Sequence, residues 1–101
     1  MVKTTLLMFD KEYKFNDRMI KTSSLLLDIL DGSEENSSLT FIFDIKLKDT
    51  WEYIYDIILR NLTHDKIIKF IEKKELLFLQ SSKLCEYFDF EVLITVMETL
   101  I

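Results

Sequence analysis

The spacing of apolar residues changes three times along the chain. Residues 4–9, "TTLLMF", are apolar and β-branched with no polar alternation. That is the pattern of a strand covered on both faces. Asp10, Lys11 and Glu12 interrupt the run and predict a turn of type I built without glycine. Tyr13 and Phe15 then share one face, with Lys14 on the other. The two runs together predict a β-hairpin. Asn16 or Asp17 is placed to cap a following helix, in which Met19, Ile20, Leu26, Leu27 and Leu30 recur at helical spacing. The stretch "KTSS" weakens that helix, because hydroxyl side chains compete for its backbone groups. The expectation is two short helices, the second capped by Thr22 or Ser23 and closed by Gly32. Residues 33–38, "SEENSS", read as a solvent loop.

"LTFIFDI", residues 39–45, is the clearest strand: Leu39, Phe41, Phe43 and Ile45 alternate with Thr40, Ile42 and Asp44. Asp49 and Glu52 have capping-box spacing, and Trp51, Ile54, Tyr55, Ile58 and Leu62 predict an amphipathic helix over about 50–60. "NLTHD", residues 61–65, is a connector, and residues 66–71 suit either a short strand or the start of a helix. A helix is expected over about 75–85, with Ser81 and Ser82 offering a close approach to a neighbour. Asp89 is placed to cap the last helix, whose stripe is Val92, Leu93, Val96, Met97 and Leu100. The sum is a single α+β domain over residues 1–101: a three-stranded sheet, four-stranded if 66–71 pairs, with a cluster of about five helices.

Composition narrows the function. A chain of 101 residues hides roughly 60–65% of its unfolded surface, so a core is feasible but shallow. The net charge of −5 argues against nonspecific binding to nucleic acid or anionic membrane. One cysteine excludes an internal disulfide and fits a reducing compartment. No apolar run reaches the ~18 residues of a membrane span, and "MVKTTLLMFDKE" meets Asp10 too early for a signal peptide. A cytoplasmic or nuclear protein is expected, in which the sequons at Asn36 and Asn61 carry no meaning.

Catalytic chemistry finds little to work with. His64 and Cys85 are the only residues of their kinds, they fall on different elements, and no glycine motif accompanies either. One histidine and one cysteine do not make a zinc site, "DKEYKFND" lacks the spacing of a calcium loop, and one glycine cannot build a phosphate-cradling loop. No enzymatic activity, cofactor or metal is expected. Aromatic residues are numerous instead: eight Phe, four Tyr and Trp51. So many in so small a domain suggest that some serve an interface.

The order and length of these elements resemble the BTB/POZ fold family, in the short form of Skp1 and elongin C. "LLMFDKEYKFNDRMIKTSSLLLDIL" is similar to the family's opening of strand, turn, strand, helix, serine-containing break and helix. "LTFIFDI" and "DTWEYIYDIILRN" stand where its third strand and third helix belong, and "ELLFLQSSKLCEYFDFEVLITVMETL" resembles its last two helices, with Ser81-Ser82 where two alanines are common. The sequence departs from the family in having Asn16-Asp17 where many members carry a histidine, "LRNL" in place of a glycine, and no strand segment before the hairpin. The last departure favours an adaptor over a swapped dimer.

The resemblance implies a non-enzymatic adaptor that binds a cullin-type ubiquitin-ligase scaffold, a substrate receptor, or both. It would act by bridging or by competing. The scaffold-facing surface would comprise Lys48, Asp49, Glu52, Tyr53, Asp56 and the connector with Asn61, His64 and Asp65. The receptor-facing surface would comprise Tyr87, Phe88, Phe90 and Leu93. The alternative is a homo-oligomeric BTB scaffold, a homodimer in its simplest form, assembled through the first-helix stripe from Met19 to Leu30.

Overall fold

The computed structural model describes residues 3–30 and 37–100. The opening hairpin forms from β1 (Lys3–Met8) and β2 (Lys11–Asn16), with a tighter turn than the sequence predicts. Met8 pairs with Lys11, so only Phe9 and Asp10 connect the strands. Both adopt left-handed backbone, with φ of 55° and 58°. Two positive φ values are the type I′ geometry, whose twist matches that of the flanking strands. The expected type I turn over Asp10–Glu12 is thus corrected, and Lys11 and Glu12 belong to β2. The left-handed region costs a non-glycine residue about 1–2 kcal/mol. Asp10 eases that cost through its short polar side chain, and Phe9 offsets it by placing its ring 6.3 Å from that of Phe43.

β3 (Ser37–Thr40) runs parallel to β1 on the side away from β2, giving the order β2-β1-β3. β1 is therefore central. Thr4, Leu6 and Met8 are buried and Thr5 and Leu7 half-buried, which accounts for a strand without polar alternation. β3 begins and ends earlier than expected. Ser37 and Ser38 are strand, not loop. Beyond Thr40 one further bond, from the Phe41 N–H to the Leu7 carbonyl (2.9 Å), continues the ladder. The Asp44 side chain then accepts from the Lys46 N–H (3.0 Å) and starts a 3₁₀ turn over Ile45–Leu47. That local acceptor diverts the chain from the sheet.

α1 (Asp17–Ile20) is capped by Asn16, which accepts from the Met19 N–H at 3.0 Å. Arg18 donates to the carbonyls of Ile58 and Leu59 (3.1 and 3.2 Å), tying α1 to a helix far along the chain. α2 (Ser24–Leu30) is capped by Ser23, whose hydroxyl oxygen accepts from the Leu26 N–H at 3.2 Å. The same hydroxyl donates to the Phe88 carbonyl, beside an isolated β-bridge between Ser23 and Phe90. Gly32 and residues 33–36 lie outside the described residues.

α3 (Lys48–Arg60) continues directly from the 3₁₀ turn. Asp49 consequently falls inside its first turn and does not cap it, and Glu52 turns instead to Lys11 and Tyr13. Trp51, Ile54, Ile57 and Ile58 are its buried apolar residues. Tyr55 leans on β2 and donates its hydroxyl to the Lys14 carbonyl at 2.8 Å. α4 (His64–Ile71) buries Ile67 and Ile71, four residues apart on one helical face, so residues 66–71 are helix and the sheet has three strands.

The helix expected over 75–85 is two helices, α5 (Glu75–Gln80) and α6 (Ser82–Phe88). They break at buried Ser81, whose hydroxyl bonds back to the Phe78 carbonyl. Asp89 stands in left-handed conformation (φ 55°) and closes α6; it does not cap α7 (Glu91–Leu100). The described residues thus hold seven α-helices where about five were expected. Loss of the Ser23 hydroxyl strips a partner from a buried carbonyl and a cap from α2 at once. Ser23→Ala should lower unfolding free energy by about 1–3 kcal/mol, read as a lower urea midpoint at unchanged m-value.

Candidate interaction surface

One apolar patch of the domain lies where the chain leaves β3. Phe41 and Phe43 lie half-buried side by side, their rings stacked at 6.1 Å. Phe88 underlies both, at 5.1 and 6.0 Å. Tyr87 stands edge-on to both, at 6.1 and 5.3 Å, and Phe9 reaches Phe43 from the hairpin turn. Extended backbone sends alternate side chains to opposite sides. With Phe41 and Phe43 turned toward α6, Ile42 faces away and is 94% exposed. Ile45, on the 3₁₀ turn, is 65% exposed and Tyr87 52%. An open groove of about 540 Å³ runs beside this cluster, between the hairpin turn and residues 40–45. Full burial of an isoleucine is worth about 1.5–3 kcal/mol, so this patch offers a partner a substantial apolar contribution.

A second face runs along the outside of α3 into α4. Lys48, Glu52, Tyr53 and Asp56 are half-buried on it and Asp49 is exposed. Glu52 accepts from Lys11 Nζ (2.9 Å) and from the Tyr13 hydroxyl (3.1 Å), and Asp56 accepts from Arg60 Nε (3.2 Å). Tyr53 stacks on Phe70, with centroids 5.7 Å apart. Asn61, exposed and left-handed (φ 52°), closes α3. His64 opens α4 with Nδ1 3.8 Å from Oδ1 of the exposed Asp65. The structure thus leaves these eight sequence-predicted residues half-buried or exposed, though Asn61 lines a separate small groove with Arg18, Thr22 and Val92.

The four predicted on the C-terminal helices do not stay together. Phe88, Phe90 and Leu93 are buried, and Phe88 stacks on Phe90 (5.3 Å) and lies tilted against Trp51 (5.4 Å). They are core residues, of which Phe90 and Leu93 also line that small groove with Arg18, Thr22 and Val92. Tyr87 alone is exposed, and it belongs with Phe41 and Phe43. Ile42 and Ile45 were missed as site residues. Their signal was present: Ile42 is an isoleucine on the Thr40/Asp44 face of an otherwise alternating run.

The electrostatics of the α3 face centre on Glu52. Its carboxyl is held below the usual value, chiefly by the hydrogen bond from Lys11, against an opposing effect of burial. The Tyr13 phenol is pushed up to about 12 by burial and by the neighbouring Glu52 carboxylate. Tyr53 and Tyr55 are also raised, mainly by burial. Cys85 is buried with its sulfur 3.6 Å from the Ser81 hydroxyl, and burial pushes its thiol up to about 12. Such a thiol is a poor nucleophile at neutral pH. Among the described residues no group of three or more His, Cys, Asp or Glu side chains is gathered to hold a metal, and no helix is long and apolar enough to cross a membrane.

No protein-family model matches the chain, and neither a curated protein nor a solved structure does.

Three outcomes follow from these environments. Unfolded tyrosine ionises near pH 10, whereas folded Tyr13 holds its proton to about pH 12. Stability should therefore be complete below pH 10 and fall as pH rises through that window; Tyr13→Phe should flatten the fall in urea midpoint. At the acid end the sign reverses. Glu52 contributes above its unfolded pKa of about 4.5 and loses that contribution as pH drops through its lower folded value. Separately, Cys85 should resist alkylation in native buffer and react fully in urea, as followed by intact mass.

Proposed function

We propose that the protein is a non-enzymatic adaptor of BTB/POZ type, which binds a cullin-type ubiquitin-ligase scaffold, a substrate receptor or both, by bridging or competing. The element order supports this reading: hairpin, two short helices, a third strand, then helices to the end of the described chain. The observation that carries it is Ile42, almost fully exposed on an apolar patch between β3 and α3. In the chain it lies just before Lys48, where the scaffold-facing residues implied by the resemblance begin. Apolar side chains displayed beside a polar helix face have the composition of an interface core with its rim. Such a role belongs to the cytoplasm or nucleus.

The homo-oligomer reading draws on less surface. Of the first-helix stripe, Met19, Ile20 and Leu26 are buried in the protein's own core, and Leu27, with its neighbour Ile29, remains 43% exposed.

The test pairs purified protein with cullin N-terminal domains. The wild type should capture a cullin, and Ile42→Glu with Ile45→Glu should weaken capture at least about tenfold without moving the urea midpoint, because both side chains are exposed. Absence of cullin binding by the purified wild type, with none recovered in affinity purification and mass spectrometry, overturns the adaptor reading. A concentration-independent dimer in light scattering would support the oligomer instead.

A further inference from the structure

The chain is acidic, yet residues 60–74 are not. Arg60, Lys66, Lys69, Lys73 and Lys74 stand there against Asp65 and Glu72, so this short stretch holds five of the chain's 13 cations. Among the described residues Lys69, Lys73 and Lys74 have no carboxylate at ion-pair distance, whereas Arg60 pairs with Asp56. Their surroundings are built. The stacked rings of Tyr53 and Phe70 (interplanar angle 20°) form an aromatic floor. The Arg60 guanidinium lies 5.0 Å from the Phe70 centroid, and Lys74 Nζ 5.8 Å from that of Tyr53. An open groove of about 300 Å³ lies over this floor, lined by Tyr53, Phe70, Lys69, Lys73, Lys74 and Glu72.

We infer that this groove is the docking site for an acidic segment of a partner protein, one that alternates carboxylates with apolar side chains. The occupant follows from complementarity. Unpaired lysines around the rim favour carboxylates, and the aromatic floor favours an apolar side chain between them. Arg60 and Lys74 already rest near ring faces, so ordering them on binding costs less entropy than recruiting free side chains. A nucleic acid fits less well. The net charge of −5 repels a long polyanion, and Glu72 sits within the groove. The inference rests on the adaptor reading for the partner being a protein, and gives part of the α3–α4 face a defined chemistry.

The full chain is titrated into a fluorescently labelled peptide of alternating glutamate and leucine, with a lysine–leucine peptide and single-stranded oligo-dT as comparisons. The glutamate peptide should bind, and should weaken about tenfold when salt rises from low to physiological strength. Lys69→Glu with Lys73→Glu should weaken it at least about tenfold, whereas Lys69→Arg with Lys73→Arg should retain it. Both lysines are exposed, and circular dichroism checks that the variants fold. Absence of binding by the wild type, equal binding by the charge-reversed variant, or tighter binding of oligo-dT overturns the inference. Failure here with cullin capture intact removes this site alone; failed capture with peptide binding intact removes the adaptor reading alone.

Discussion

The two halves of the molecule are joined through Trp51. Its indole is fully buried and touches Tyr13 and Phe15 from β2, Tyr55 from its own helix, and Phe88 and Phe90 from the corner between α6 and α7. Among the described residues the indole N–H has no hydrogen-bond partner. An orphaned donor costs about 1–3 kcal/mol, while an aromatic ring of this size buries 150–250 Å². At about 25 cal/mol per Å² that is roughly 4–6 kcal/mol in favour of burial. Apolar burial wins, and it keeps the ring in place without a polar anchor. Ser23 makes a second tie, bonding the start of α2 to the Phe88 carbonyl. Phe88 is thus held through its backbone by Ser23 and through its ring by Trp51, and it supports Phe41 and Phe43 beneath the apolar patch.

A chain with one glycine and no proline must turn by other means. Among the described residues four non-glycine residues carry positive φ: Phe9 and Asp10 in the hairpin, Asn61 after α3 and Asp89 after α6. Three of the four are Asn or Asp, whose short polar side chains tolerate this region best. Phe9 is the exception, and its half-buried ring is part of the aromatic cluster by β3. Asn61 fixes where α3 ends and α4 begins, which sets Tyr53 against Phe70.

Much of the fold was legible from periodicity. The hairpin, the break between the first two helices and the buried stripe of α3 follow from local spacing, which survives into the structure because a single core collects each stripe. The misplacements have a common cause: a local hydrogen-bonding choice or a tertiary neighbour outweighed the pattern. "LTFIFDI" alternates like a strand through Ile45, but Asp44 supplies a competing acceptor and the strand ends at Thr40. Asp49 and Glu52 have capping spacing, yet the 3₁₀ turn extends the helix backward past Asp49. The resemblance puts Phe88, Phe90 and Leu93 on a surface, whereas neighbours as distant in sequence as Trp51 help to bury them. The basic, aromatic-floored groove was invisible because Tyr53 and Phe70 meet only once α3 and α4 fold together.

The bond from the Tyr55 hydroxyl to the Lys14 carbonyl has a consequence for behaviour in a crowded solution. β2 is an outer strand, and an outer strand with free backbone groups is a template for a foreign one. Here a helix side chain reaches over and takes one of those acceptors, next to exposed Lys11, Glu12 and Lys14. Runaway stacking of sheets through β2 is thereby discouraged. A molecule that must keep sticky side chains on display is better dispersed where an outer strand gives neighbouring molecules one acceptor less to grip.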